Sequence, residues 1–210
     1  MQISFLGATL HEFDVGITDV ILFLLCSWFL YQLIKSKAKR DSLLIFSGLA
    51  ASSLFGALFH FFFPLKATTA GGFFVWTLVA VSIGLVIYGA ISYSLKALSL
   101  FDENKYKLVP VVYTGVFFLY FFLVSHTFPS IILFYGPSVL FLGIVALIKI
   151  IKRNNLYWYL LGGVFLSFLA AVVQITHVNI HPVYFNFNSL YHSIQLVGIF
   201  YLYFFFKKDK

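Results

Sequence analysis

Long apolar segments alternate with short polar connections along the whole chain. Each segment is close to the roughly 20 residues that a helix needs to cross a bilayer. The apolar residues are continuous within a segment, whereas the strands of a membrane barrel alternate apolar and polar positions. Helices also satisfy their own backbone hydrogen bonds in lipid, so the pattern predicts seven transmembrane helices. The predicted helices are Thr18–Ile34, Leu43–Phe63, Phe73–Leu95, Leu108–Val124, Ile131–Ile148, Leu156–Thr176 and Leu190–Phe206.

The amino-acid composition excludes a water-soluble domain. Apolar side chains make up 61% of the 210 residues, charged side chains make up 10%, and the mean hydropathy is +0.98. Soluble domains are closer to half apolar and about one-quarter charged. We therefore expect an all-α integral membrane protein, a seven-transmembrane helix bundle that forms one domain over residues 1–210.

Basic residues follow the odd-numbered predicted helices. Thirteen of the fourteen Lys and Arg residues lie there, and only Lys66 falls on the other side. Basic loops stay in the cytoplasm, so we expect a multi-pass protein of the cell membrane with an extracytoplasmic N-terminus and a cytoplasmic C-terminus. The net charge of +7 is then a topology signal, and no nucleic-acid partner is expected. The thirteen residues are Lys35, Lys37, Lys39, Arg40, Lys96, Lys105, Lys107, Lys149, Lys152, Arg153, Lys207, Lys208 and Lys210.

The sequence excludes cysteine-based chemistry and retinal binding. Cys26 is the only cysteine, which rules out a disulfide within the chain and a metal cluster built on cysteine. A retinal protein needs a lysine in the middle of its seventh helix, and Leu190–Phe206 contains none.

The histidines all fall at the predicted outer face or just below it. His60 and His192 lie inside apolar segments, where an ionisable side chain is costly and usually has a partner. An interfacial position with no special role is the simpler interpretation for the others. The remaining four are His11, His126, His177 and His181.

Helical spacing groups these histidines with other polar side chains. His177 and His181 are four residues apart, so they would chelate one metal ion if the turn were helical. With His60 and His192 arriving at the same depth, the four histidines are the predicted metal ligands. Nitrogen and oxygen ligands without sulfur suit zinc, among several metals, and an open position on such a site makes hydroxide available.

Three further polar residues are the candidate catalytic residues. Ser53 lies on the same helical face as His60, and Asn188 lies one turn before His192. Asp19 is a candidate general base, or a carboxylate that accepts a hydrogen bond from a metal-bound ligand. The competing explanation for Asp19 is a carboxylate in the first turn of a helix, which the helix dipole favours.

A histidine near the end of the second helix and a polar pair one turn apart at the start of the seventh resemble the CREST superfamily. This group includes the alkaline ceramidases and the adiponectin-receptor-like proteins. Its pattern is Ser-x3-His on helix two, Asp on helix three and His-x3-His on helix seven. His60 and His192 match this pattern, whereas Gly56 replaces the serine and Asn188 the first histidine of helix seven. Trp76 and Thr77 stand at the level of the aspartate.

The resemblance implies a seven-helix membrane hydrolase with zinc inside the bundle. The incomplete motif leaves two possibilities: His177 or His181 serves as a replacement ligand, or the metal has been lost. We therefore expect a metal-dependent hydrolase of a lipid amide or ester, with membrane lipid as its partner and its site near the outer face. The alternative is a non-enzymatic receptor, scaffold or solute binder with a polar pocket. That alternative predicts imidazoles more than about 7 Å apart, because zinc–nitrogen bonds are only about 2 Å long.

Overall fold

Seven α-helices make up most of the chain in a computed structural model that describes residues 3–5, 8–99, 103–181 and 185–209. A short antiparallel hairpin precedes them, formed by β1 (Ile3–Phe5) and β2 (Ala8–Leu10). A single 3₁₀ turn, Lys66–Thr68, lies between the second and third helices. The helices are α1 (Phe13–Lys35), α2 (Arg40–Phe62), α3 (Ala70–Leu98), α4 (Glu103–Leu123), α5 (Phe128–Ile151), α6 (Tyr157–Thr176) and α7 (Phe187–Lys208).

The predicted all-α class and the seven helices are confirmed in the described residues. Six of these helices are long and apolar enough to cross a membrane, and the apolar part of α4, Lys107–Leu123, is shorter. Several helices extend beyond their apolar segments because polar residues can occupy helix ends. α7, for example, begins at Phe187, where the side chain of the N-cap residue Asn186 accepts hydrogen bonds from two backbone N–H groups.

The helices pack mainly on their neighbours in sequence, and α1 closes the bundle by packing against α7. An aromatic core lies where α1, α2 and α7 meet. Phe29 of α1 stacks on Tyr203 of α7 with ring centroids 4.0 Å apart, and Phe46 of α2 meets Phe206 edge to face. These contacts set the distance between the helices that carry Asp19, His60 and His192.

α2 and α3 approach closely at Gly48. A Cβ atom added at Gly48 would lie 2.5 Å from the backbone oxygen of Ser82 on α3. No side chain fits there, so glycine is what permits this helix crossing. Gly48, one of the small residues of segment 48–57, therefore serves helix packing.

The bundle has two chemically different ends. We call one the histidine end: it holds the starts of the odd-numbered helices and the ends of the even-numbered helices. There the backbone N–H of His11 donates to Phe61 O (3.0 Å), and Trp76 Nε1 donates to His126 O (2.6 Å). All six histidines lie at this end. We call the opposite end the basic end; there Lys39 pairs with Asp209 (2.8 Å).

We predict that Gly48→Ala destabilises the fold and that Gly115→Ala does not. The methyl group at residue 48 must push α2 away from α3, at a cost of about 1–3 kcal/mol. Around Gly115 of α4 there is open space within 4 Å, so alanine there improves helix propensity without a clash. Thermal unfolding of both purified variants in detergent checks this, and equal midpoints would contradict the close approach of α2 and α3.

Candidate metal centre

Asp19 is a carboxylate inside the bundle. Its exposed fraction is only 3%, and it is the seventh residue of α1. The helix begins at Phe13, earlier than the predicted Thr18, and the acidic residue of its first turn is Asp14. The helix dipole therefore does not account for Asp19, because that effect fades beyond the first turn.

His60 and His192 face this carboxylate from two other helices. His60 Nε2 of α2 lies 4.0 Å from Asp19 Oδ2, and His192 Nδ1 of α7 lies 3.5 Å from Asp19 Oδ1. The three ligand atoms all lie within 4.8 Å of one another. Two ligand atoms of one tetrahedral zinc ion, each bonded at about 2.0–2.1 Å, lie about 3.3 Å from each other. Small side-chain movements would therefore bring all three ligand atoms to the distances that one zinc ion requires.

Two atoms of this group have no hydrogen-bond partner within the described residues. Both Asp19 Oδ2 and His192 Nδ1 are fully buried. Buried polar atoms are nearly always hydrogen-bonded, so an exception calls for an ion or a water molecule. Asp19 and His192 are two of the three residues that could ligate one ion, so a cation or a water molecule bound between them would satisfy both atoms.

Glu12 holds His60 from the other side of the imidazole ring. Glu12 Oε2 lies 2.5 Å from His60 Nδ1, and Glu12 is the N-cap residue of α1 with a left-handed backbone (φ 41°). A carboxylate only accepts, so Nδ1–H donates in this pair, and in the neutral imidazole the lone pair is then on Nε2, the nitrogen 4.0 Å from Asp19 Oδ2. Metal-bound histidines are typically oriented by such a carboxylate. Sequence reasoning missed Glu12 because helical spacing says nothing about a residue before the helix.

The Asp19 carboxylate lies against Gly56, which leaves room for it because glycine has no side chain. A Cβ atom at Gly56 would lie 2.8 Å from Asp19 Oδ2. The position that carries serine in the CREST pattern is therefore next to a carboxylate that enters from α1. In that pattern the aspartate is on helix three, so the acidic group has a different origin in this chain.

A cavity of about 540 Å³ extends from the Asp19–His60–His192 group between the helices. The predicted catalytic residues Ser53 and Asn188 both line it, although Asn188 is tied to α6 by a hydrogen bond from Gln174 Nε2 to its Oδ1 (2.6 Å). Gln174 Oε1 is buried and has no hydrogen-bond partner in the described residues. The cavity therefore holds polar groups at this end of the bundle besides Asp19, His60 and His192.

His177 and His181 do not join the group. Their spacing suggested a helical chelating pair, but α6 ends at Thr176, before both of them. His177 lines the cavity and packs its ring against Phe187, with centroids 4.4 Å apart. His181 is exposed, and its backbone pairs with Phe185. The structure thus brings together two of the four predicted metal ligands and adds Asp19.

A comparison of the chain with known protein families gives one match, over residues 15–209, to a family of unknown function called DUF6962. The chain belongs to this family. Asp19, His60 and His192 all lie in the matched region, whereas Glu12 precedes it. Searches of curated proteins and of solved structures found no match.

We predict that Gly56→Ala weakens metal binding. The added methyl group overlaps the Asp19 carboxylate and moves it away from the two imidazoles, so the affinity for zinc should fall about 10- to 100-fold, as when a supporting residue of a metal site is lost. Gly136→Ala on α5 is the matched control, because open space surrounds that glycine. Competition with a fluorescent zinc chelator measures both affinities, and equal values would show that Gly56 has no part in the site.

Proposed function

We propose that the chain is a multi-pass protein of the cell membrane with its N-terminus outside and its C-terminus in the cytoplasm. The long apolar helices support this, and so do large apolar side chains on the bundle surface: Leu24, Leu119 and Phe165 are each at least 60% exposed. The orientation rests on the bias of basic residues, since Lys66 alone belongs to the histidine end. The histidine end then lies at the outer face.

We further propose that Asp19, His60 and His192 bind one zinc ion. The observation that carries this proposal is the convergence of one ligand atom from each of the three residues within 4.8 Å. Asp19 Oδ2 and His192 Nδ1 are also buried without a hydrogen-bond partner in the described residues. Two imidazoles and one carboxylate with an open position are typical of catalytic zinc. When bound, the metal would act as a Lewis acid that polarises the carbonyl group of a substrate and activates a water molecule.

Glu12, Asp19 and Asn188 would have different roles at this site. Glu12 keeps the proton of His60 on Nδ1, so Nε2 stays available as a ligand. Asp19 supplies the negative charge that favours a divalent cation over a neutral ligand. Asn188, held in place by Gln174, presents an amide to the cavity and would orient the polar group of a substrate.

The cavity supports a lipid substrate. Apart from its polar end it is lined by aliphatic side chains such as Leu49 and Ile83 and by aromatic rings such as Phe128, which suit a hydrocarbon chain. Its lining also includes Ile175, the penultimate residue of α6, which is 64% exposed, so the cavity reaches the bundle surface near the end of that helix. We propose a metal-dependent hydrolase that admits a lipid amide or ester laterally at this point.

The non-enzymatic alternative receives less support from the geometry. It requires imidazoles more than about 7 Å apart, whereas the ligand nitrogens of His60 and His192 lie within 4.8 Å of each other. The polar pair Gln174–Asn188 would serve a bound solute equally well, so metal content decides between the two.

The test is metal content combined with hydrolysis. The full chain, purified in detergent without chelators, is expected to hold about one zinc per chain by elemental analysis, consistent with one three-ligand site. It should hydrolyse a fluorescent long-chain N-acyl amide or acyl ester. Asp19→Asn and His192→Ala should lose the metal and at least about 100-fold in rate, because they remove ligands of the catalytic ion.

His126→Ala is the matched control. His126 is also at the histidine end, but its ring packs on Phe73 and Phe121, so its loss should leave metal and activity unchanged. A folded protein without metal would contradict the site. Iron in place of zinc would contradict the hydrolase, because two histidines and a carboxylate also form the site of non-haem iron oxygenases.

A further inference from the structure

A second cavity, of about 520 Å³, lies at the basic end of the bundle. Four cationic side chains from α3, α5 and the start of α2 surround it. The bias of basic residues explains which end they occupy, but it does not explain why four of them converge on one cavity. They are Lys39, Arg40, Lys96 and Lys149.

The positive charges around this cavity exceed the negative ones. Lys96 pairs with both oxygens of the buried Asp41 (2.9 Å each), and Lys39 pairs with Asp209 (2.8 Å). Those two carboxylates match two of the four cations. Within the described residues Arg40 and Lys149 have no ion pair, so the cavity keeps two positive charges for an external anion.

Lys149 is the deeper of the two unmatched cations. Its side chain is half-buried on α5, next to the buried ring of Tyr157 that also lines the cavity. The long stem of a lysine can be buried while its ammonium group stays available to a ligand. Arg40 has exposed side-chain surface and provides a planar donor that binds phosphate oxygens in pairs.

The carboxylates of the two existing ion pairs are held in place by neighbouring hydroxyl groups. Ser92 Oγ donates to Asp41 Oδ1 (2.8 Å), and Tyr93 OH donates to Asp209 Oδ2 (2.8 Å). The cavity also lies at the N-terminal end of α2, where the N-cap residue Lys39 makes no side-chain cap. The partial positive charge of that helix end adds to the attraction for an anion.

We propose that this cavity binds the phosphate group of an anionic molecule, contacted by Lys149 and Arg40. Basic pockets between helices on the cytoplasmic side of a membrane bind phosphate head groups of lipids. The size of the cavity falls in the range of small-molecule sites, larger than an inorganic phosphate ion requires. The head group of an anionic phospholipid therefore fits best, and a soluble phosphate ester has the same chemistry.

Binding of short-chain lipids to the full chain in detergent tests the proposal. Dioctanoyl phosphatidic acid should stabilise the protein against thermal unfolding in a saturable way, and dioctanoyl phosphatidylcholine should not. Lys149→Met and, independently, Arg40→Gln should weaken phosphatidic acid binding about tenfold or more, since each removes a charge-assisted hydrogen bond. Lys152→Met, a basic residue of the same end outside the cavity, should bind like the unmodified protein.

Glycerol 3-phosphate separates the two sources of phosphate. Binding at least about tenfold weaker than that of phosphatidic acid assigns the site to lipid, whereas equal binding assigns it to a soluble phosphate ester. The proposal is overturned if phosphatidic acid and phosphatidylcholine bind alike, or if Lys149→Met and Arg40→Gln both leave phosphatidic acid binding unchanged. Zinc content is independent of these outcomes, because Asp19, His60 and His192 lie at the other end of the bundle.

Discussion

The buried carboxylate of Asp19 is the constraint on which the account of this protein depends. An ionised carboxylate inside an apolar bundle costs several kcal/mol unless opposite charge and hydrogen bonds compensate it. Here two imidazoles lie 3.5 and 4.0 Å from its oxygens, too far for strong hydrogen bonds, and Oδ2 has no hydrogen-bond partner within the described residues. A divalent cation between the three side chains would satisfy all of them together.

The fold holds these three side chains together through contacts outside the group. Asp14, one and a half turns before Asp19, accepts hydrogen bonds from Asn186 (2.7 Å) and Ser189 (3.0 Å), which ties the start of α1 to the start of α7. The aromatic stack of Phe29 on Tyr203 joins the same two helices deeper in the bundle. Contacts on both sides of the Asp19 level, the hydrogen bonds of Asp14 and the Phe29–Tyr203 stack, therefore set the distance between α1 and α7.

The sequence was sufficient to predict the seven helices and to place the six histidines at one end of the bundle. Apolar length and the position of basic residues are local properties, so both can be read along the chain. His60 and His192 were recognisable for the same reason, as ionisable groups inside apolar segments. Spacing within one helix could not reveal that Asp19 meets them, because distances between helices depend on how the bundle packs.

Two other features of the site depend on local backbone details. The pair His177 and His181 has helical spacing, but α6 ends before it, and a spacing argument holds only inside a helix. Glu12 reaches His60 from a left-handed N-cap position that no periodic pattern marks. The role of Gly56 was also hidden, since a glycine in an apolar helix most simply indicates packing, whereas here it makes space for a carboxylate.

The two ends of the bundle have opposite charge preferences. The histidine end presents a carboxylate and imidazoles, which suit a cation, and the basic end presents unmatched cations, which suit an anion. X-ray absorption at the zinc edge of the zinc-loaded protein tests the central claim most directly. The account predicts two imidazole nitrogens and a carboxylate oxygen at about 2.0–2.2 Å, with one imidazole lost in His60→Ala. A spectrum of oxygen ligands alone, or one unchanged by His60→Ala, would contradict it.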